Sequence, residues 1–355
     1  MTGAVAEHDR VRFRRLAYLT AALTFALIVV GGVVRISDSG LGCGPAGSGT
    51  EGWPLCGGGV VPAIDTNMIV EYSHRVLAAA VTILIAYLVW TAWRRRRSER
   101  LLVRVSIATL GLILIQAALG GLTVEEGLKQ ELVATHLGVA MFQIGLVLLM
   151  GRLGGPDPPP TLRPGATRAI RTLTGVALVA VLGTIVAGGY MSASELHGTG
   201  VEHRSVDAHM ACGDEFPACG GEFLPFGRSE ALDIHLTHRA FMYVAVVVLL
   251  TLFATVVRQR RRLEERWGAE LANLAWVTVV VLIAQVLLGA VNVWAGEQAW
   301  LIVAHLAVGT LLWLSLIRFA FTLTSVPEAS AAAARRRQSV EAAGGRLRPA
   351  GRRAG

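Results

Sequence analysis

The sequence predicts an all-α integral membrane protein, with eight transmembrane helices arranged as two pseudo-symmetric four-helix bundles. Three observations predict it. Hydrophobic residues make up 53% of the chain and charged residues only 16%, less charge than a soluble chain of this length carries. The apolar residues fall into eight long blocks. The last four blocks repeat the motifs of the first four.

The blocks run over roughly 15–35, 68–92, 103–122, 131–151, 171–191, 232–257, 271–293 and 300–323, and about 20 residues suffice to cross the hydrocarbon. The first is too long for a signal-peptide core and no A-x-A site follows it, so it reads as a retained span. Arg12, Arg14 and Arg15 precede it. Arg94 to Arg97 follow the second block, Arg152, Arg163, Arg168 and Arg171 separate the fourth from the fifth, and Arg258, Arg260, Arg261 and Arg262 follow the sixth. The positive-inside rule then predicts a multi-pass cell-membrane protein with both termini cytoplasmic and the Arg-poor, cysteine-bearing loops outside. The net charge of +8 is mostly this topological signal, and nucleic acid is not an expected partner. Pro156, Pro158, Pro159, Pro160 and Pro164 mark a linker. The expected organisation is an N-terminal half over 1–155, a C-terminal half over 156–325, and a disordered basic cytoplasmic tail over 326–355.

Within each half the order of motifs is the same. The first block ends near a glycine pair, Gly31-Gly32 or Gly188-Gly189, which permits close packing. A long loop with two cysteines follows, ending in Cys56-Gly57-Gly58 or Cys219-Gly220-Gly221. The second block opens with His74-Arg75 or His238-Arg239. The third ends in a run starting at Gln116 or Gln285. The fourth opens with His136 or His305, 20 residues after its glutamine in both copies. Four spans per copy is an even number, so the copies share one orientation, as a parallel repeat.

Ionisable residues within spans are costly and are functional candidates. His74, His136, His238 and His305 all sit within about two turns of the outer ends of their helices, so their depth is within roughly 10 Å of the interface. Two histidines per half, at similar depth on different helices, suit the two axial positions of one haem iron. The alternatives are helix-end hydrogen bonding or a zinc or copper site, but the spans offer no accompanying thiol or carboxylate set. The copies differ at one position: Glu71, three residues before His74, aligns with His235. A carboxylate one turn from an iron ligand suggests proton handling beside a substrate. The other reading is an interfacial acid, solvated or paired with Arg75.

Gly40-Leu-Gly-Cys43, Trp53-Pro-Leu-Cys-Gly57, Glu71-Tyr-Ser-His-Arg75, Leu119-Gly-Gly-Leu-Thr-Val124, Thr135-His-Leu137 and Leu288-Gly-Ala-Val-Asn-Val293 occur in that order. On this motif set, residues 15–323 resemble the haem A synthases. The resemblance implies oxidation of the C8 methyl of haem O to a formyl group, giving haem A for cytochrome oxidase. It implies haem b held by His238 and His305 in the C-terminal half. The substrate haem would lie between His74 and His136, with Glu71 as the catalytic acid. Arg75 and Arg239 are candidate propionate partners. A haem O synthase, cytochrome oxidase assembly proteins and membrane lipids are the implied partners. Two other functions stay open on the residues alone: a dihaem b-type cytochrome that only transfers electrons, and a non-catalytic haem carrier or assembly factor.

The four cysteines fall on outer loops, where disulfides persist. The duplication pairs Cys43 with Cys56 and Cys212 with Cys219. The resemblance implies a redox-active first pair; the alternative is a static staple. The Gly/Ser-rich stretch Gly44 to Gly52 makes this loop longer than is usual in the family. The second loop also carries His197, His203 and His209 at intervals of six, read as exposed loop histidines rather than a metal site.

Overall fold

The computed structural model describes residues 2–61, 64–156, 167–194, 208–263, 265–296 and 298–324. The linker prolines after Pro156, His197, His203 and the basic tail lie outside these residues. The described chain is helical, with eight helices long and apolar enough to cross a membrane. They are α1 (Thr2–Ile36), α2 (Thr66–Arg95), α3 (Arg100–Glu125), α4 (Gln130–Gly154), α5 (Arg168–Ala193), α6 (Glu230–Gln259), α7 (Glu265–Trp294) and α8 (Ala299–Leu323). The protein is a multi-pass membrane protein. Its outward surface carries large apolar side chains such as Ile83, Trp90, Val179 and Val247, as a lipid-facing surface requires.

Helices α1 and α5 stand at the middle. Helix α4 packs on α1 of its own half and on α5 of the other, and α8 packs on α5 and α1 in turn. Lipid is as apolar as a leucine side chain, so close backbone approach and interhelical hydrogen bonds must hold such helices together. Trp313 Nε1 on α8 donates to the Met141 carbonyl on α4 at 2.9 Å. Arg35 at the end of α1 donates to the Ser192 carbonyl on α5 at 2.7 Å. Gln130 on α4 donates to the Tyr190 hydroxyl on α5 at 2.7 Å.

One end of the bundle carries both disulfide loops and the first turns of α2, α4, α6 and α8. The histidines sit eight residues after the first residue of α2 and α6 and six after that of α4 and α8. At 1.5 Å per residue these offsets are roughly 12 and 9 Å along the helix. Asp65 caps α2 by accepting from Met68 N at 3.0 Å, and Ser229 caps α6 by accepting from Leu232 N at 3.2 Å. Each cap fixes where the helix starts, and with it the face on which the histidine falls. The opposite end carries the arginine-rich connections. There Arg96 reaches the Gly154 carbonyl, pairs with Glu99 and stacks on Phe13.

Candidate functional site

In the C-terminal half, His238 and His305 face each other with ring centroids 6.5 Å apart and planes at 70°. Two imidazoles bound to one metal through bonds of about 2 Å have centroids roughly 6 Å apart, so this spacing suits a shared metal. His238 Nδ1 lies 3.0 Å from the Thr184 carbonyl on α5. Donation there fixes the tautomer and leaves the lone pair on Nε2, the arrangement of a metal-binding histidine. His305 Nε2 lies 3.0 Å from the Gln285 side-chain nitrogen on α7. Its Nδ1 is buried without a protein partner.

In the N-terminal half, His74 and His136 are close enough to interact electrostatically. Nδ1 of both is buried without a hydrogen-bond partner. The Leu27 backbone, which matches Thr184, stands beside His74 in the same way, without a bond as close as the one to His238. Gln116 donates to the His136 backbone carbonyl at 2.8 Å, not to the ring. Three Nδ1 atoms therefore lack a partner as close as the one Thr184 gives His238. A haem in the C-terminal half would be held by His238 and His305, whose ring spacing suits one shared metal, and one in the N-terminal half by the repeated pair, His74 and His136. Among the described residues no group of three or more His, Cys, Asp or Glu assembles at metal-binding geometry.

Each of these rings rests on a glycine of a neighbouring helix. A Cβ on Gly31, Gly120, Gly188 or Gly289 would come 3.1, 3.2, 3.0 or 2.9 Å from Cε1 of His74, His136, His238 or His305 respectively. Gly31 and Gly188 belong to the pairs expected to permit close helix packing; the register of all four glycines against the histidines follows only from the helix pairing.

Glu71 is 4% exposed, not solvated. Its Oε2 accepts from Cys43 N at 2.7 Å, and its Oε1 pairs with Arg75. His235 in the matching place is also buried, with Nδ1 2.8 Å from the Ala208 carbonyl. Both side chains therefore reach back to the loop before their helix. The two arginines do the same. Arg75 donates to the Gly52 and Leu55 carbonyls, both at 2.7 Å. Arg239 donates to the matching Glu215 and Ala218 carbonyls, both at 2.8 Å. These guanidinium donors are thus engaged by the loop before each helix.

Disulfides join Cys43 to Cys56 and Cys212 to Cys219. Beyond each second cysteine the chain closes an antiparallel bridge, Cys56 to Gly59 and Cys219 to Glu222. Gly57, Gly58, Gly220 and Gly221 all have positive φ, which a two-residue turn of this hand needs at both central positions. That is the reason for the repeated Cys-Gly-Gly. The longer stretch from Gly44 is tied to the end of α3, with Gly47 N on the Glu125 carbonyl and Gly49 N on its side chain, both at 3.1 Å. Cys43 and Cys56 are 0% and 3% exposed, whereas thiol exchange needs an accessible sulfur. His209 is buried beside Cys212 in the short turn His209–Cys212, not exposed as the loop composition suggests.

Residues 14–317 match the family described as cytochrome oxidase assembly proteins, COX15-CtaA. A relative named Heme A synthase from Symbiobacterium thermophilum is 31% identical, over 78% of this chain and 84% of that protein. Proteins of the same name from Shouchella clausii and Halalkalibacterium halodurans are 28% and 26% identical, over 75% and 84% of this chain and 83% and 92% of theirs. With the family match spanning all eight helices and all four histidines, the chain belongs to the COX15-CtaA family of cytochrome oxidase assembly proteins.

Proposed function

We propose that this protein is a haem A synthase, an oxidoreductase that converts the C8 methyl of haem O to a formyl group. The observation that carries the reading is the repeated pair of histidines, whose rings face each other in the C-terminal half, combined with a buried carboxylate one turn from the first histidine of the N-terminal half only. Relatives named Heme A synthase align over most of the chain. In this reading His238 and His305 hold haem b, and His74 and His136 flank the substrate. Oxidising a methyl to a formyl group removes four electrons and adds one oxygen atom, which amino-acid side chains cannot do; a haem held by His238 and His305 would relay those electrons to an external acceptor.

The chain's own residues do four things. The glycines beside the histidines fix the imidazole planes. The Thr184 carbonyl holds the proton on Nδ1 of His238. The apolar walls exclude water and accept an isoprenoid tail. Glu71 holds the first loop through Cys43 N and Arg75, and in this reading it moves a proton at the substrate. The buried Cys43–Cys56 bond acts as a staple that keeps Cys43 N on Glu71. The arginine-rich end faces the cytoplasm, and the histidines and disulfides lie toward the outer face.

The test is to extract and chromatograph haems from cells that express this chain together with a haem O source. Haem A is the expected product. Only haem O and haem B would leave an electron-transfer cytochrome or a haem carrier as the better account.

A further inference from the structure

The glycine pairs of α1 and α5 each touch both halves of the molecule. Gly188 lies against the His238 ring. Its neighbour Gly189 lies against Leu137, where a Cβ would come 2.9 Å from Leu137 Cδ2. Leu137 directly follows His136. The other pair repeats this across the interface. Gly31 lies against His74, and a Cβ on Gly32 would come 2.5 Å from Cδ2 of Leu306, the residue after His305.

Two short chains of contact result. One runs His136, Leu137, Gly189, Gly188, His238. The other runs His305, Leu306, Gly32, Gly31, His74. Each joins a histidine of one half to a histidine of the other through covalent neighbours and two van der Waals contacts. A glycine has no side chain to deform, so displacement of the leucine passes directly to the helix backbone. Packed interiors transmit such displacement rather than absorb it. The His238 ring is exposed to it twice, because its hydrogen-bond partner Thr184 is on α5, one turn from Gly188. A shift of α5 moves both supports of that ring together. His74 has the same glycine contact, with the Leu27 backbone of α1 in the place of Thr184 but no bond as close.

We propose that Leu137 and Leu306 are positioning residues for the histidine of the opposite half, coupling the two haem sites across the interface. Seating the substrate against His136 then reorients His238. By reciprocity, the state of the C-terminal site alters substrate affinity by the same factor, about 5-fold or more for couplings of the usual size. This inference rests on the ligand assignment proposed above.

The test uses the full-length purified protein with haem b bound. The electron paramagnetic resonance spectrum of the ferric C-terminal haem is recorded with and without added haem O. The wild type is expected to shift its highest g value on addition. L137A is expected to start from a displaced g value and to lose the haem O response, with haem b content retained. L137M, which keeps the volume but not the branched contact, is expected to fall between them and covers the case in which L137A does not fold. H238A separates the two ideas. If H238A leaves the C-terminal haem spectrum unchanged, the ligand assignment fails and the coupling fails with it. If H238A abolishes the spectrum but the leucine variants match the wild type, only the coupling is overturned.

Discussion

The two halves use the same frame differently at two places. Three residues before the first histidine, the N-terminal half has Glu71 on Cys43 N and Arg75, and the C-terminal half has His235 on the Ala208 carbonyl. At the foot of the second histidine, Gln116 holds the backbone of His136, whereas Gln285 holds the ring of His305. In the C-terminal half each ring has one hydrogen bond, Nδ1 of His238 to the Thr184 carbonyl and Nε2 of His305 from Gln285. In the N-terminal half neither Nδ1 has so close a partner, and Nδ1 of His305 lacks one too. In the reading proposed above, the more firmly held pair takes the permanent cofactor, and the pair with Glu71 one turn away takes the substrate.

The largest test of this contrast is His238→Ala or His305→Ala. Either is expected to remove the low-spin haem b signal entirely, read in the visible spectrum. His74→Ala should leave that signal in place and cut haem O binding. An intact haem b spectrum in His238→Ala would break the division of labour.

Glu71 comes next. Glu71→Ala should lower haem A output by about 10²-fold or more, the range of general acid–base catalysis. Truncation also strands Arg75, and breaking a buried pair costs about 3–5 kcal/mol. Glu71→Gln separates the two contributions, because its amide oxygen still accepts from Cys43 N. Output that stays low in Glu71→Gln, with melting temperature restored, supports proton handling; output restored with the fold would leave Glu71 as an anchor only.

The disulfide should matter less. Cys43→Ser with Cys56→Ser is expected to cost about 3 kcal/mol of stability, as for a closed loop of this size, read by thermal melting in detergent. Haem A output should persist where the protein is folded. Loss of output without loss of stability would restore a redox role to the pair. The smallest effect is expected at the helix caps: Asp65→Ala and Ser229→Ala should each cost about 1 kcal/mol, with the melting shift similar in the two halves because the caps are equivalent.

Much of this was legible in the sequence because it is local. Runs of apolar residues give the eight helices, and the repeat gives the histidine registers and the cysteine pairs. Adjacency alone did not show that Arg75 and Arg239 reach loop carbonyls, because neighbours on a helix point in different directions, about 100° apart. It also hid the Glu71 bond to Cys43 N, which closes across 28 residues. The glycine pairs were visible, but their partners were not: Gly189 meets Leu137 on one side of the sequence while Gly188 meets His238 on the other.

By itself the sequence determined the number of spans, their approximate cores, and the level at which the four histidines sit, since hydropathy, charge and helical period act over one or two turns. Only the tertiary structure decided which nitrogen of each histidine is engaged, where the arginine donors go, and how the halves touch. Those depend on the relative rotation and depth of packed helices, set by contacts between residues distant in sequence that no local pattern specifies.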